Sequence, residues 1–180
     1  MSGASLTRAA RLYVAAVVAA GAIPIAWSVA TLLAEPPDPR WLLLAALTVL
    51  VGTLAVRLPA AQGMISLPEA FAFASAFLFG PAPATLTVVL DGLVVSLRSR
   101  RRRVYRMLFN LAEPGISVWI SAQLFHWLAG ADAHAAGFWR LFGPLLVMTT
   151  SYFVLNTGLT TVAIALEART SPIALLRSCL

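Results

Sequence analysis

The chain has no lysine, one cysteine, two histidines and seven acidic residues among 180, and each shortage closes off a class of protein. A lone cysteine, Cys179, excludes an intramolecular disulfide and a cysteine-built metal site. His126 and His134 stand apart from each other with no acidic or thiol cluster around them. No nucleophile–base pair, metal-ligand set or phosphate-binding loop can be assembled from spacing, so no catalytic site, metal or cofactor is expected and the chain does not read as an enzyme. The largest shortage is of charge. Charged residues make up 11% of the sequence, against roughly 25% in an ordinary soluble domain.

What fills the sequence instead is apolar: 60% of the residues. A chain of this length and balance cannot cover itself with polar groups, and lipid is its natural solvent. The expected fold is all-α, a polytopic membrane bundle of about six transmembrane helices forming a single domain over residues 1–180. Arg8 and Arg11 precede an apolar stretch too long for the core of a cleaved signal peptide, so it reads as a first span, 11–33, bent at Pro24. Three prolines between Glu35 and Arg40 forbid helix there, and Trp41 opens a second span, 41–56. Ser66-Leu67-Pro68-Glu69 matches a capping box at the start of a third helix, 67–79, which ends at Gly80-Pro81-Ala82-Pro83. A fourth helix is expected over 84–97, a fifth over 107–130 and a sixth over 141–166. The third and fourth are short for a ~30 Å hydrocarbon core at ~1.5 Å per residue. They read either as thin spans or as a re-entrant hairpin.

All 13 cationic residues are arginines, and six of them, Arg98, Arg100, Arg101, Arg102, Arg103 and Arg106, crowd one loop. Such a run can mark nucleic-acid binding, but apolar segments flank it closely on both sides. It reads instead as a cytoplasmic loop facing anionic inner-leaflet lipid, with no nucleic-acid partner. With the N-terminus inside, eleven arginines fall in inner segments, leaving only Arg40 and Arg140 outside. The expected location is therefore the inner, cytoplasmic membrane, crossed several times, with both termini in the cytoplasm.

Ionisable groups inside apolar segments are costly, about 2.5–3.5 kcal/mol at a helix centre on insertion scales, so each asks for a reason. Glu69 has one in its cap. Asp91 lies in the fourth helix, with Thr87 on the same face. In the fifth helix Asn110, Glu113, Ser117 and Ser121 recur at spacings of 3, 4 and 4, one polar stripe. Pro114 removes the bond that would have reached the Asn110 carbonyl. The alternative is that residues 107–112 lie at the interface and the span begins near Pro114. Thr149, Asn156 and Thr160 form a weaker stripe on the sixth helix, and His126 reads as an interfacial hydrogen-bonding residue beside Trp127. Turning Asp91, Asn110, Glu113 and Asn156 inward brings them together in the inner half of the bundle, between the fourth, fifth and sixth helices. The cluster either binds a ligand or holds the helices together.

The segment from Ile65 to Ala112 carries Ile-Ser-Leu-Pro-Glu-Ala-Phe, then Leu-Phe-Gly-Pro, the arginine loop and Asn110-Leu111-Ala112. In these motifs and in topology it resembles the multi-helix bacterial membrane input regions that precede GGDEF, HD-GYP or histidine-kinase domains. It is also similar to the substrate-binding S components of energy-coupling-factor vitamin transporters. The first resemblance implies a sensory module of a signalling protein, with a small-molecule ligand and a cytoplasmic effector domain as partners. No GGDEF or HD-GYP residues occur up to Leu180, so such activity would belong to sequence beyond this chain. The second resemblance implies a small-molecule uptake component docking on a partner subunit.

Overall fold

A computed structural model describes residues 7–53, 68–98, 104–130 and 137–173. They form six helices: α1 (Arg8–Ala34), α2 (Trp41–Thr53), α3 (Pro68–Phe79), α4 (Pro81–Arg98), α5 (Val104–Ala129) and α6 (Phe138–Ala168). The described residues contain no strand. Ser66 and Leu67 of the expected cap, Arg57, and Arg100 to Arg103 lie outside them.

α1 starts where Thr7 caps it, its hydroxyl oxygen accepting from the Ala10 N–H at 3.1 Å, which satisfies one of the free donors of the first turn. α1 continues through Pro24 as a single helix. α4 begins three residues earlier than the sequence suggested. Pro81 and Pro83 occupy its first turn, where the missing N–H groups would have had no intrahelical partner anyway. It is therefore 18 residues and roughly 27 Å long, close to a full span rather than short. α3, at 12 residues, is the short element, roughly 18 Å. One residue, Gly80, joins the two with a φ of 94°, a conformation that glycine adopts without strain.

α5 is central, packing against α1, α3, α4 and α6, while α2 lies against α3 and α4. Small side chains make these approaches possible. A β-carbon at Gly21 of α1 would lie 2.6 Å from the Ala112 side chain of α5, and one at Gly92 of α4 would lie 2.5 Å from the Asn110 carbonyl oxygen. Small residues at helix crossings are how helices pack where lipid offers no hydrophobic drive for association. The core is built of Ala72, Ala76, Ala84, Ala112 and Ala122 around Val118 and Phe125.

Beside this core the interior also holds many polar side chains, and large apolar ones face outward, unlike in a soluble protein. Ser28, Thr48, Ser75, Thr85, Thr87, Ser117, Ser121 and Glu113 are buried, whereas Ile23, Leu33, Trp127, Trp139 and Phe153 stand out on the surface. A continuous apolar exterior of this kind needs an apolar surrounding. α1, α4 and α6 are long and apolar enough to cross a membrane.

Two sets of contacts orient the bundle. The Thr7 hydroxyl donates to the Leu166 carbonyl at 3.5 Å, and Arg106 pairs with Glu167, so the start of α1, the start of α5 and the end of α6 share one end. At the opposite end, His126 bonds the Ala76 carbonyl at 2.9 Å, bringing the α3–α4 turn to the far end of α5.

Candidate functional site

The polar groups inside the bundle form two connected sets. The first centres on Tyr152, a buried residue midway along α6. Its hydroxyl donates to Glu69 Oε1 at 3.2 Å and accepts from Asn156 Nδ2 at 2.9 Å. The ring meets Phe73 edge to face, centroids 5.0 Å apart. Since Tyr152 is central in α6, this bond sets the N-terminus of α3 at mid-height in the bundle. α3 thus covers about half the height of the bundle, whereas α4 runs over more of it.

The second set runs along α5. Glu113 is 5% exposed, and its Oε1 accepts from the Ser117 hydroxyl at 3.0 Å. Ser121 donates to the Ser117 carbonyl at 2.7 Å, and Ser151 of α6 donates to Ser121 at 3.1 Å. The stripe at spacings of 3, 4 and 4 is therefore a bonded row from its second member onward. The sets adjoin. Glu69 and Glu113 both act electrostatically on Tyr152, and Glu113 also acts on Tyr13 of α1. The Tyr13 hydroxyl donates to the Leu159 carbonyl at 2.9 Å, tying α1 to α6 one turn beyond Asn156.

Of the four residues expected to converge, Glu113 and Asn156 come to the same region, both through Tyr152. Asp91 approaches from α4, within electrostatic reach of Glu69. Its Oδ1 is buried against α2, where a β-carbon at Gly52 would lie 2.1 Å away, and has no hydrogen-bond partner among the described residues. Asn110 does not join. It is exposed, and its Nδ2 reaches Ser96 of α4 at 3.4 Å. Its carbonyl, freed by Pro114, faces the bare backbone of Gly92, so the amide serves the α4–α5 crossing.

Spacing alone did not single out Tyr152, Ser151 or Tyr13. Tyr152 precedes Asn156 by four residues, one turn along the same face, and that pairing was the available signal. Glu69, assigned to a cap, also holds α6. Thr149 is exposed and bonds back to the Leu145 carbonyl at 3.0 Å, which removes it from the stripe. Of the arginine run, Arg98 is an exposed residue ending α4. Arg106 lies inside α5, because that helix starts at Val104, and it pairs with Glu167 instead of standing free in the loop.

Comparison with known proteins adds a family. The MASE9 family model matches residues 72–177. The chain belongs to the MASE9 family. This is a membrane-associated sensory domain family, and the match takes in α4, α5, α6 and most of α3, with Glu113, Tyr152 and Asn156 inside it and Glu69 just outside. No curated protein and no solved structure matches the chain.

Proposed function

We propose that this MASE9 chain is the membrane-embedded input module of a bacterial signalling protein, and that the Glu69–Tyr152–Asn156 and Glu113–Ser117 sets are its sensing site. The helices lie across the cytoplasmic membrane with the arginine-rich end, and both termini, inside. Anionic inner-leaflet lipid holds that end, and a cytoplasmic effector domain receives the output.

One observation carries this reading: the polar sets join α3, α5 and α1 to the middle of α6, and α6 runs uninterrupted from there to the arginine-rich end. α6 packs on α5 with Leu141, Met148 and Tyr152 buried, while much of its remaining surface is exposed, so a change in those bonds acts on the seat of α6 against α5. The family match supports sensing over uptake, and the α3–α4 turn at the far end of α5, with α4 close to a full span, supports a spanning α4 over a re-entrant α3–α4 hairpin.

The test places the chain ahead of a cytoplasmic diguanylate cyclase domain and compares Tyr152→Phe and Glu69→Gln with the parent. Output should change severalfold at equal amounts of membrane-inserted protein. Unchanged output in both variants would argue that the groups only hold the helices together.

A further inference from the structure

Glu113 is a carboxyl buried in the middle of an apolar bundle, with a hydroxyl for its hydrogen-bond partner. The ion pairs Arg40–Asp38 and Arg106–Glu167 lie at the two ends of the bundle and do not reach it. Among the described residues, the elements packed on α5 bring further acids toward it and no base. Tyr13 comes from α1, Glu69 from α3 and Tyr152 from α6; of the two ionisable groups of α4, Asp91 faces Glu69 and Arg98 is exposed at the end of the helix. α2 has no ionisable residue within its described span.

We propose that Glu113 is a proton-binding site, and that its loading sets how firmly α6 is held against α3 and α5. A charge so buried needs either a cation or neutralisation. With a hydroxyl as its partner, the available neutralising species is a proton from water: the carboxylate gains H⁺ and becomes the acid, with no other bond made or broken. The Ser117 hydroxyl donates to Oε1 in both forms, so the local geometry tolerates the exchange.

The consequence falls on Tyr152. In the ionised state Glu113 of α5 and Glu69 of α3 set two negative charges beside the same neutral phenol of α6, and their repulsion pushes apart the two helices between which Tyr152 is held. In the neutral state that repulsion is gone and the Tyr152–Glu69 bond holds. The Ser117 carbonyl, Ser121 and Ser151 carry the α5 side of the same contact into α6. The effect on α6 rests on the sensing reading above, whereas the proton exchange itself is read independently of any output.

The experiment is pH-difference infrared spectroscopy on the full chain in phosphatidylcholine nanodiscs, across the range in which it stays folded. Wild type should show a protonated-carboxyl stretch that grows as pH falls. Glu113→Gln should lack it. Ser117→Ala, which keeps the acid but removes the donated hydrogen bond, should show it at a shifted frequency. Absence of the band in wild type, or its persistence in Glu113→Gln, overturns the assignment. If Glu113→Gln does not fold, Ser117→Ala decides, since an unshifted band would belong to another carboxyl. A normal band combined with unaltered cyclase output in the chimera would leave the proton site standing and remove the sensing role.

Discussion

At the scale of single residues, the middle of the bundle depends on a phenol. Tyr152 is an acceptor for Asn156 and a donor to Glu69 at once, so Tyr152→Phe keeps the ring and its contact with Phe73 but breaks both bonds. Hydrogen bonds between membrane helices average roughly 0.6 kcal/mol, and the loss of these bonds at two half-buried polar groups adds to that. Unfolding in detergent should show a loss of about 1–2 kcal/mol, with Asn156→Ala costing less. The double variant should cost less than the sum, because both changes remove the same bond. Glu113 was visible in the sequence because charge is so scarce there that a carboxylate inside an apolar segment stands out. Tyr152 was not, because a tyrosine in such a segment passes for packing, and only the fold shows Glu69 next to it. Asn110 misled for the converse reason: a stripe at helical spacing gives a face, yet the face turns toward Ser96 at this depth and toward Ser151 a few turns later.

At the scale of helices, the crossings are set by backbone proximity. Gly21 and Gly92 have no room for a β-carbon, and at Gly92 the obstruction is a carbonyl oxygen that cannot rotate away. Gly92→Ala and Gly21→Ala should each destabilise by about 1–3 kcal/mol, the usual cost of overpacking. Gly143→Ala and Gly158→Ala, on α6 with open space around them, should be neutral or slightly stabilising in the same assay. Helix existence was readable because long apolar runs broken by prolines leave few alternatives. The ends were less so. Pro81 and Pro83 resemble a terminator, but in a first turn they are compatible with helix, and that placement lengthens α4. The mid-height start of α3 depends on a bond to a residue 83 positions away, beyond the reach of any local pattern.

At the scale of the molecule, the apolar shell and the arginine-rich end are the grounds for the proposed orientation. Ala168, exposed at the end of α6, and Ala34, exposed at the end of α1, lie at opposite ends. In a Cys179→Ser background, an impermeant thiol reagent applied to intact cells should label Ala34→Cys and spare Ala168→Cys; the reverse pattern would invert the orientation. The all-helical bundle could be anticipated from composition, whereas the proposed coupling of the bundle's centre to the end of α6 beside Arg106 could not, since it depends on which helices meet. That coupling is the central claim, and pulsed electron paramagnetic resonance measures it most directly. Spin labels at Ala9→Cys and Ala168→Cys in nanodiscs report the spacing between the inner ends of α1 and α6. Removing the Tyr152–Glu69 bond with Glu69→Gln or Tyr152→Phe should shift or broaden the distance distribution while helical content is retained. Distributions identical to that of the parent in both variants would contradict the account.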